Sequence, residues 1–358
     1  RTLRAWLTRP LLEPDDVQRR QEVVAAFVGD QSARSRVQDL LGQVSDLERL
    51  TNRVRTNTAT PRDLASLRAG LVVIPELIAS LPDGVVPGGS VIGRLHPSSE
   101  AFELLNAAIP DDPSVTVGEG SAIREGFHSE LDEVRSLSGD ARSSIAALEA
   151  DHRKTTGIKS LKIGYNRVFG YYLEVTKNNV HLVPESFERR QTLVNGERFI
   201  TPQLKELESK ILNARDRISE LEREIFRRVC GEVAVHGGRI METASALGVL
   251  DALVSMSQAA AENGWVRPLV DDDTALKIEG GRHPVVESSL GPGRFVSNDL
   301  DLSNNERQVM IITGPNMSGK STYIRQAAVL VLMAQVGSYI PATKARIGVV
   351  DRIFTRAG

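Results

Sequence analysis

Hydrophobic residues in the first 110 positions recur every three or four residues, a spacing typical of amphipathic helices that pack through one face. Leu3, Trp6 and Leu7 show this spacing at the start of the chain. Prolines and a Pro-Gly-Gly turn at residues 87–89 divide the pattern into segments. We therefore expect a first region of several packed helices.

Two longer helical patterns follow, one over residues 121–152 and one from Pro202 to about Asn263. In the second, apolar residues from Leu204 to Ile225 occupy the a and d positions of three heptads. Such a stripe requires a helical partner along its length. We expect the two helices to pack antiparallel.

The segment between these helices changes to short β-branched and aromatic runs at residues 158–163 and 168–176. Apolar and polar residues alternate from Tyr171 to Thr176, as on a half-buried strand. We expect a β-rich insert at the far tip of the helix pair, with its turn around residues 164–166.

The insert is locally basic, because residues 151–200 contain nine Lys and Arg against five Asp and Glu. Lys and Arg alone suffice to contact a nucleic-acid backbone. The alternative is a solvated surface whose charges serve solubility. The candidate DNA-binding cations are Lys159, Lys162, Arg167, Arg189, Arg190 and Arg198.

Composition is that of an ordinary soluble protein, with 358 residues, 41% hydrophobic and 25% charged. A net charge of -2 excludes a globally basic nucleic-acid binder. The single cysteine, Cys230, excludes an internal disulfide and a thiolate metal cluster.

We expect no stretch long enough to span a membrane, and a cytosolic location. The chain opens at Arg1 and stops at Gly358, so we expect it to be part of a longer protein.

Residues 314–322, Gly-Pro-Asn-Met-Ser-Gly-Lys-Ser-Thr, match the phosphate-loop pattern G-x-x-x-x-G-K-[ST]. An apolar run at residues 309–313 precedes them and predicts a buried parallel strand. A helical pattern over residues 320–336 follows and stops at Gly337. These flanks favour phosphate binding over a chance glycine-rich turn.

The residue types of the loop define the chemistry that we expect. Gly314 and Gly319 allow backbone N–H groups to converge on phosphate oxygens at a helix N-terminus. Lys320 is expected to reach the β- and γ-phosphates, and the Ser321 hydroxyl to complete the shell of a magnesium ion, with Thr322 as a second candidate. The other predicted nucleotide-binding residues of the loop are Pro315, Asn316, Met317 and Ser318.

Two residues ahead of the loop are further candidates. Phe295 is an aromatic residue that could stack on a nucleobase, and core packing is its alternative. His283, beside Pro284, is more simply structural than catalytic.

The loop and its neighbours, residues 313–326, resemble the MutS family of DNA mismatch repair ATPases. Residues 281–287, 336–341 and 351–356 are similar to flanking motifs of that family. Shorter similarities lie at residues 4–11, 170–173 and 189–192, so the resemblance covers nearly the whole chain.

The resemblance implies a multidomain fold: an α-helical core with long antiparallel lever helices, a small β-rich clamp at their tip, and an incomplete α/β phosphate-loop ATPase domain of the ABC type. The implied domains are a helical core with the first lever helix (residues 1–152), the DNA clamp (153–201), the returning lever helix (202–263) and the N-terminal part of the ATPase domain (264–358).

The resemblance also implies a function, namely ATP-dependent recognition of mismatched DNA in mismatch repair. ATP and Mg²⁺ would be the cofactors, with Phe295 as the adenine-stacking residue. The implied partners are mismatched double-stranded DNA, a second subunit in a homodimer or related heterodimer, and a downstream mismatch repair protein. No membrane is implied, and the location would be cytoplasmic, with nucleoid association, or nuclear in a eukaryote.

The chain also departs from the family pattern. It has no counterpart of the mismatch-reading and connector domains, and it stops before the Walker B acidic pair. Asp351 is followed by Arg352 and is not accepted as that pair, so no catalytic residue is assigned and we expect this chain alone not to turn over ATP. Two alternatives stay open: a non-catalytic DNA-gripping module, and a coiled-coil ATPase of chromosome maintenance, in which the phosphate loop precedes the arm.

Overall fold

A computed structural model describes residues 1–85, 91–166, 168, 170–291, 293–316 and 318–356. The predicted turn at residues 87–89 and the predicted site residues Arg167 and Met317 lie outside the described residues. The chain divides into two compact units. Unit 1 comprises Arg1–Thr51, Ala69–Ser99 and Gly237–Gly358, and unit 2 comprises Asn52–Arg68 and Glu100–His236.

The elements alternate between helical stretches and two short groups of strands. The helices are α1 (Thr2–Thr8), α2 (Pro14–Gly29), α3 (Gln31–Leu41), α4 (Leu47–Arg55), α5 (Pro61–Leu71), α6 (Ile74–Ala79), α7 (Ser99–Ala108), α8 (Ser129–Thr156), α9 (Pro202–Val235), α10 (Gly237–Asn263), α11 (Pro284–Leu290) and α12 (Lys320–Gln335). The strands are β1 (Lys162–Asn166), β2 (Gly170–Thr176), β3 (Glu188–Thr192), β4 (Gly196–Ile200), β5 (Leu269–Asp271), β6 (Leu276–Gly281), β7 (Asn298–Leu302) and β8 (Lys344–Gly348).

Unit 1 contains a four-stranded sheet in the order β5-β8-β6-β7. β8 is parallel to β5 and antiparallel to β6, which in turn is antiparallel to β7. Val17 of α2 and Leu330 of α12 are buried in one cluster with Val270, Ile278 and Ile347 of the sheet. The helix that follows the phosphate loop is therefore fixed to this sheet by apolar packing.

Helix α10 is, by length and composition, the one described helix that could cross a membrane, so the expectation that no stretch is long and apolar enough was wrong. The reason lies in its sequence, because Asp251 is the single charged residue between Glu242 and Glu262. Of the most apolar 18-residue stretch of this helix, 56% is buried within the protein. This burial is typical of the core helix of a folded domain.

Unit 2 is built on the helix pair α8 and α9. Near one end of the pair, Glu130 and Arg135 of α8 meet Arg217 and Glu222 of α9. Towards the other end, Ile145 of α8 is buried in one cluster with Leu204 and Ile211 of α9. The pair is thus antiparallel, as the heptad pattern predicts.

The strands of unit 2 form an antiparallel sheet in the order β1-β2-β4-β3, called the head sheet below. Leu173 and Phe199 are paired across β2 and β4 and are buried with Leu204 at the start of α9. The predicted turn, at residues 164–166 and their neighbours, lies later than expected: residues 164–166 belong to β1, and the β1–β2 hairpin closes between Asn166 and Gly170. Tyr165 and Tyr171, paired across the strands with ring centroids 5.0 Å apart, extend the pairing over glycine and asparagine positions that disfavour strands.

The second predicted helical tract begins at Pro202 and ends at Asn263 as expected, but it consists of two helices separated at His236. Gly237 and Gly238 follow the break, and glycine is a poor helix former. The division of the chain into four domains remains a prediction.

The strand predicted at residues 309–313 is not observed, since the described residues contain no strand ladder for this run. Val309 and Ile311 are 80% and 84% exposed. An apolar run becomes a buried strand only where neighbouring strands offer hydrogen bonds, and β7 at the edge of the sheet pairs with β6 alone among the described strands.

Candidate functional site

The glycines of the phosphate-loop pattern have backbone conformations that favour glycine. Gly314 has φ 153° and Gly319 has φ 92°, and Gly319 directly precedes α12. A Cβ atom at position 314 would also lie 3.1 Å from Ser318 Oγ. The loop therefore turns into the N-terminus of α12 in the way that a phosphate cradle requires.

Lys320, the first residue of α12, closes this loop on itself. Its Nζ donates hydrogen bonds to the carbonyl oxygens of Gly314 and Pro315, each at 2.6 Å. These acceptors hold the ammonium group across the loop. Phosphate oxygens are stronger acceptors because they are charged, so they can replace the carbonyls.

A cavity of about 690 Å³ adjoins the loop, and this volume is in the usual range for a small-molecule site. Part of its wall is apolar and comes from α11 and the loop after it, including Val286, Leu290 and Phe295. Another part comes from the start of α12, including Lys320 and Thr322. The cavity thus combines an apolar wall with a cationic, phosphate-loop wall.

The structure brings some of the predicted site residues together in this cavity, namely Phe295, Ser318, Gly319, Lys320 and Thr322. The side chain of Phe295 is half-buried there. Gly314, Pro315 and Asn316 belong to the loop without lining the cavity, and Ser321 is exposed outside its lining.

Tyr323 is a cavity residue that the sequence reasoning missed. Its hydroxyl donates to the carbonyl oxygen of Asp299 at 2.6 Å and lies 3.5 Å from Met310 Sδ. Burial, and then the charge of Asp299, raise the pKa of this hydroxyl. A helical spacing of three residues after Lys320 was the available signal. Tyr323 ties the start of α12 to β7.

Asp299 is the carboxylate that lines the cavity among the described residues. Its Oδ1 accepts a hydrogen bond from the backbone N–H of Gly280 at 2.7 Å, so it holds β7 to β6. Asp351 lies elsewhere, in a 430 Å³ groove with Leu7 and Leu332.

His283 lies outside the cavity lining and is 8% exposed. Its carbonyl oxygen accepts the N–H of Glu287 at 2.8 Å, which starts α11. Its burial outside the cavity favours the structural interpretation of this histidine.

The predicted cations of the head sheet differ in how far they are already engaged. Arg198 donates to Glu174 at 3.2 Å and to Gln191 at 3.0 Å, and its guanidinium lies 4.0 Å from the Tyr172 ring centroid. Two hydrogen bonds and one aromatic contact thus hold its guanidinium within the sheet.

The other described head cations are more available. Arg189 and Arg190 make longer ion pairs, to Glu197 at 3.4 Å and to Glu188 at 3.5 Å. Lys159 and Lys162 are exposed, and the described part of the chain offers them no ion pair.

Two family models match the chain. Residues 126–217 match MutS family domain IV, and residues 310–358 match MutS domain V. The chain belongs to the MutS family. The domain IV match covers all of α8, the head sheet and the first part of α9, and the domain V match begins just before the phosphate loop.

Relatives named DNA mismatch repair protein MutS match over the whole chain. The protein of Dehalococcoides mccartyi is 45% identical over 361 residues, covering 100% of this chain and 42% of the relative. That of Symbiobacterium thermophilum is 47% identical over 361 residues, with 100% and 41% covered. That of Salinibacter ruber is 43% identical over 360 residues, with 100% and 40% covered. The chain thus spans about two fifths of the length of these relatives.

Proposed function

We propose that this chain is the part of a mismatch repair MutS protein that binds ATP and grips DNA. The observation that carries the proposal is the single cavity shared by Phe295, Gly319 and Lys320. The names of the relatives, which all denote mismatch repair, support the same assignment.

The residues present suit a nucleoside triphosphate. The phosphate loop and the N-terminus of α12 offer backbone N–H groups and the Lys320 ammonium to the phosphates. The half-buried Phe295 ring offers a face on which the adenine base stacks.

A magnesium ion suits the same residues. No group of three or more His, Cys, Asp or Glu able to hold a metal ion occurs among the described residues, so most of its ligands would be phosphate oxygens and water. When bound, the ion neutralises phosphate charge, and the Ser321 or Thr322 hydroxyl would hold it.

Hydrolysis is proposed for the full-length protein and not for this chain alone. Attack on the γ-phosphate requires a group that orients water. In the described part of the chain, the cavity offers only the Asp299 carboxylate, and that group already bonds Gly280 N–H. We therefore assign no water-orienting group among the described residues.

The antiparallel helices α8 and α9 would be the levers and the head sheet the clamp of the MutS protein. Exposed cations of the head sheet would contact the phosphates of mismatched duplex DNA without reading bases. Dimer formation, a downstream mismatch repair partner and a cytoplasmic location belong to the same proposal.

The test is nucleotide binding by the purified chain, measured as the anisotropy of fluorescent ADP. Lys320→Ala should abolish this binding and leave duplex DNA binding unchanged. Lys344→Ala, at an exposed lysine outside the cavity lining, is the matched control. Equal affinity of the wild type and Lys320→Ala would refute the site. DNA binding by a wild type that binds no nucleotide would instead favour the non-catalytic DNA-gripping module.

A further inference from the structure

Arg294 lies in the loop between α11 and β7 and lines the same cavity as Phe295 and Lys320. It is exposed, and within the described part of the chain its guanidinium makes no ion pair. A guanidinium group carries five N–H donors and no acceptor. Arg294 therefore presents unused donors at the cavity.

Two nearby arginines, unlike Arg294, are engaged by carboxylates. Arg282 Nε donates to Glu287 at 2.6 Å, and Arg307 is paired with Asp301. Among the described residues that line the cavity, Arg294 and Lys320 are the two cations, and Asp299 is the one anion. The balance of charge in the cavity suits a polyanionic ligand.

The position of Arg294 indicates which part of a nucleotide it meets. Lys320 belongs to the phosphate loop, which takes the terminal phosphates. Arg294 directly precedes Phe295, the residue proposed to stack on the base. In a nucleotide the α-phosphate lies between the base with its sugar and the terminal phosphates. A charged phosphate oxygen is also a stronger partner for guanidinium than a neutral acceptor of the base.

We propose that Arg294 is a second cation of the nucleotide site and binds the α-phosphate. This inference rests on the proposed nucleotide binding. The contact with the α-phosphate would make the site bind nucleotides more tightly than nucleosides.

The experiment compares four ligands that share adenosine. ATP, ADP and AMP all carry the α-phosphate, whereas adenosine carries none. Dissociation constants are measured by ligand-observed NMR titration for the wild type, Arg294→Gln, Lys320→Ala and the control Arg307→Gln. Far-UV circular dichroism verifies that each variant is folded.

Arg294→Gln should weaken ATP, ADP and AMP binding by a similar factor of about ten, since one charge-assisted bond is lost, and leave adenosine unchanged. Lys320→Ala should abolish ATP and ADP binding but leave AMP binding unchanged. Arg307→Gln should change none of them. If AMP binds too weakly to measure, the salt dependence of ADP binding decides, because Arg294→Gln should flatten it.

The outcomes separate this inference from the proposed function. A wild type that binds neither ATP nor ADP overturns the proposed function. A wild type that binds both, together with an Arg294→Gln variant of equal affinity and equal salt dependence, overturns only the role of Arg294. A loss that extends equally to adenosine would assign Arg294 to the base or sugar and overturn the α-phosphate contact.

Discussion

Arg135 of α8 donates to Glu222 of α9 at 2.9 Å, and the Glu222 side chain is completely buried. The same carboxylate accepts the backbone N–H groups of Gly118, Gly120 and Ala122 at 2.9, 3.0 and 3.0 Å. A buried charge is tolerated when it is paired and its remaining lone pairs are satisfied. Glu222 thus fixes the loop that precedes α8 to the helix pair.

Glu222→Ala should destabilise unit 2 by about 3 kcal/mol, because it leaves three backbone N–H groups without their acceptor and removes one partner of the part-buried Arg135 guanidinium. Glu220→Ala is the control, since Glu220 is exposed on the same helix and its pair with Arg217 spans 3.5 Å. Urea unfolding monitored by labelling of Cys230, the single thiol and a residue of unit 2, measures the effect. Equal urea midpoints for Glu222→Ala and the wild type would show that the network contributes little.

The sequence predicted the local elements better than the contacts between distant residues. The antiparallel pair α8 and α9, the strand character of the head sheet and the helix after the phosphate loop follow from patterns within a few turns of chain. In the sequence, Glu222 is one more charged residue beside the apolar heptad positions. Its partners at residues 118–122 are about a hundred residues away, so no local pattern reveals its burial.

Local sequence patterns likewise predicted only part of the candidate site. The phosphate loop and Phe295 were found from residue types, whereas Arg294 and Tyr323 are site candidates only because folding brings α11, β7 and α12 to one cavity. The strand predicted at residues 309–313 failed for a related reason. Apolar composition is local, but strand pairing depends on neighbours elsewhere in the chain.

Burial raises the pKa of the Cys230 thiol to about 11, with the residue 3% exposed. The reactive species is the thiolate, and an exposed cysteine has a pKa of about 8.5. In the folded chain at pH 8, reaction with a disulfide reagent should therefore be about a hundredfold slower than in urea. A folded-state rate close to the unfolded rate would show that the thiol is accessible.

The same shift makes stability depend on pH. The pKa of the Cys230 thiol is higher in the folded chain than in the unfolded chain. The neutral thiol therefore contributes fully to the free energy of unfolding below about pH 8.5, and this contribution is lost as the pH rises towards 11. The wild type should lose stability over this range more steeply than Cys230→Ala. Parallel pH profiles of their urea midpoints would contradict the shift.

We expect some of the predicted head cations to contact DNA and others to stabilise the head sheet. Lys159→Ala with Lys162→Ala should weaken duplex binding equally for all sequences and reduce the salt slope by about two, one for each lost phosphate contact. Charge reversal at Arg189 and Arg190 should act in the same direction. Anisotropy of a labelled duplex across a series of KCl concentrations measures the slope.

Arg198→Ala is the comparison within the same sheet. Because Arg198 is engaged by Glu174, Gln191 and Tyr172, its loss should lower thermal stability and leave the salt slope nearly unchanged. A salt slope that falls with Arg198→Ala but not with the lysine variants would assign the DNA contact to Arg198 and not to the lysines.

Ser321 and Thr322 should respond differently to magnesium. The phosphate-loop pattern assigns the metal-binding hydroxyl to Ser321, while in the structure Thr322 is half-buried in the cavity lining and Ser321 is exposed. Ser321→Ala should therefore reduce the gain in ADP affinity that Mg²⁺ gives over EDTA. Thr322→Ala should weaken ADP binding by the same factor in Mg²⁺ and in EDTA, because its hydroxyl would contact the nucleotide and not the ion. Loss of the magnesium effect in Thr322→Ala alone would move the metal ligand to Thr322.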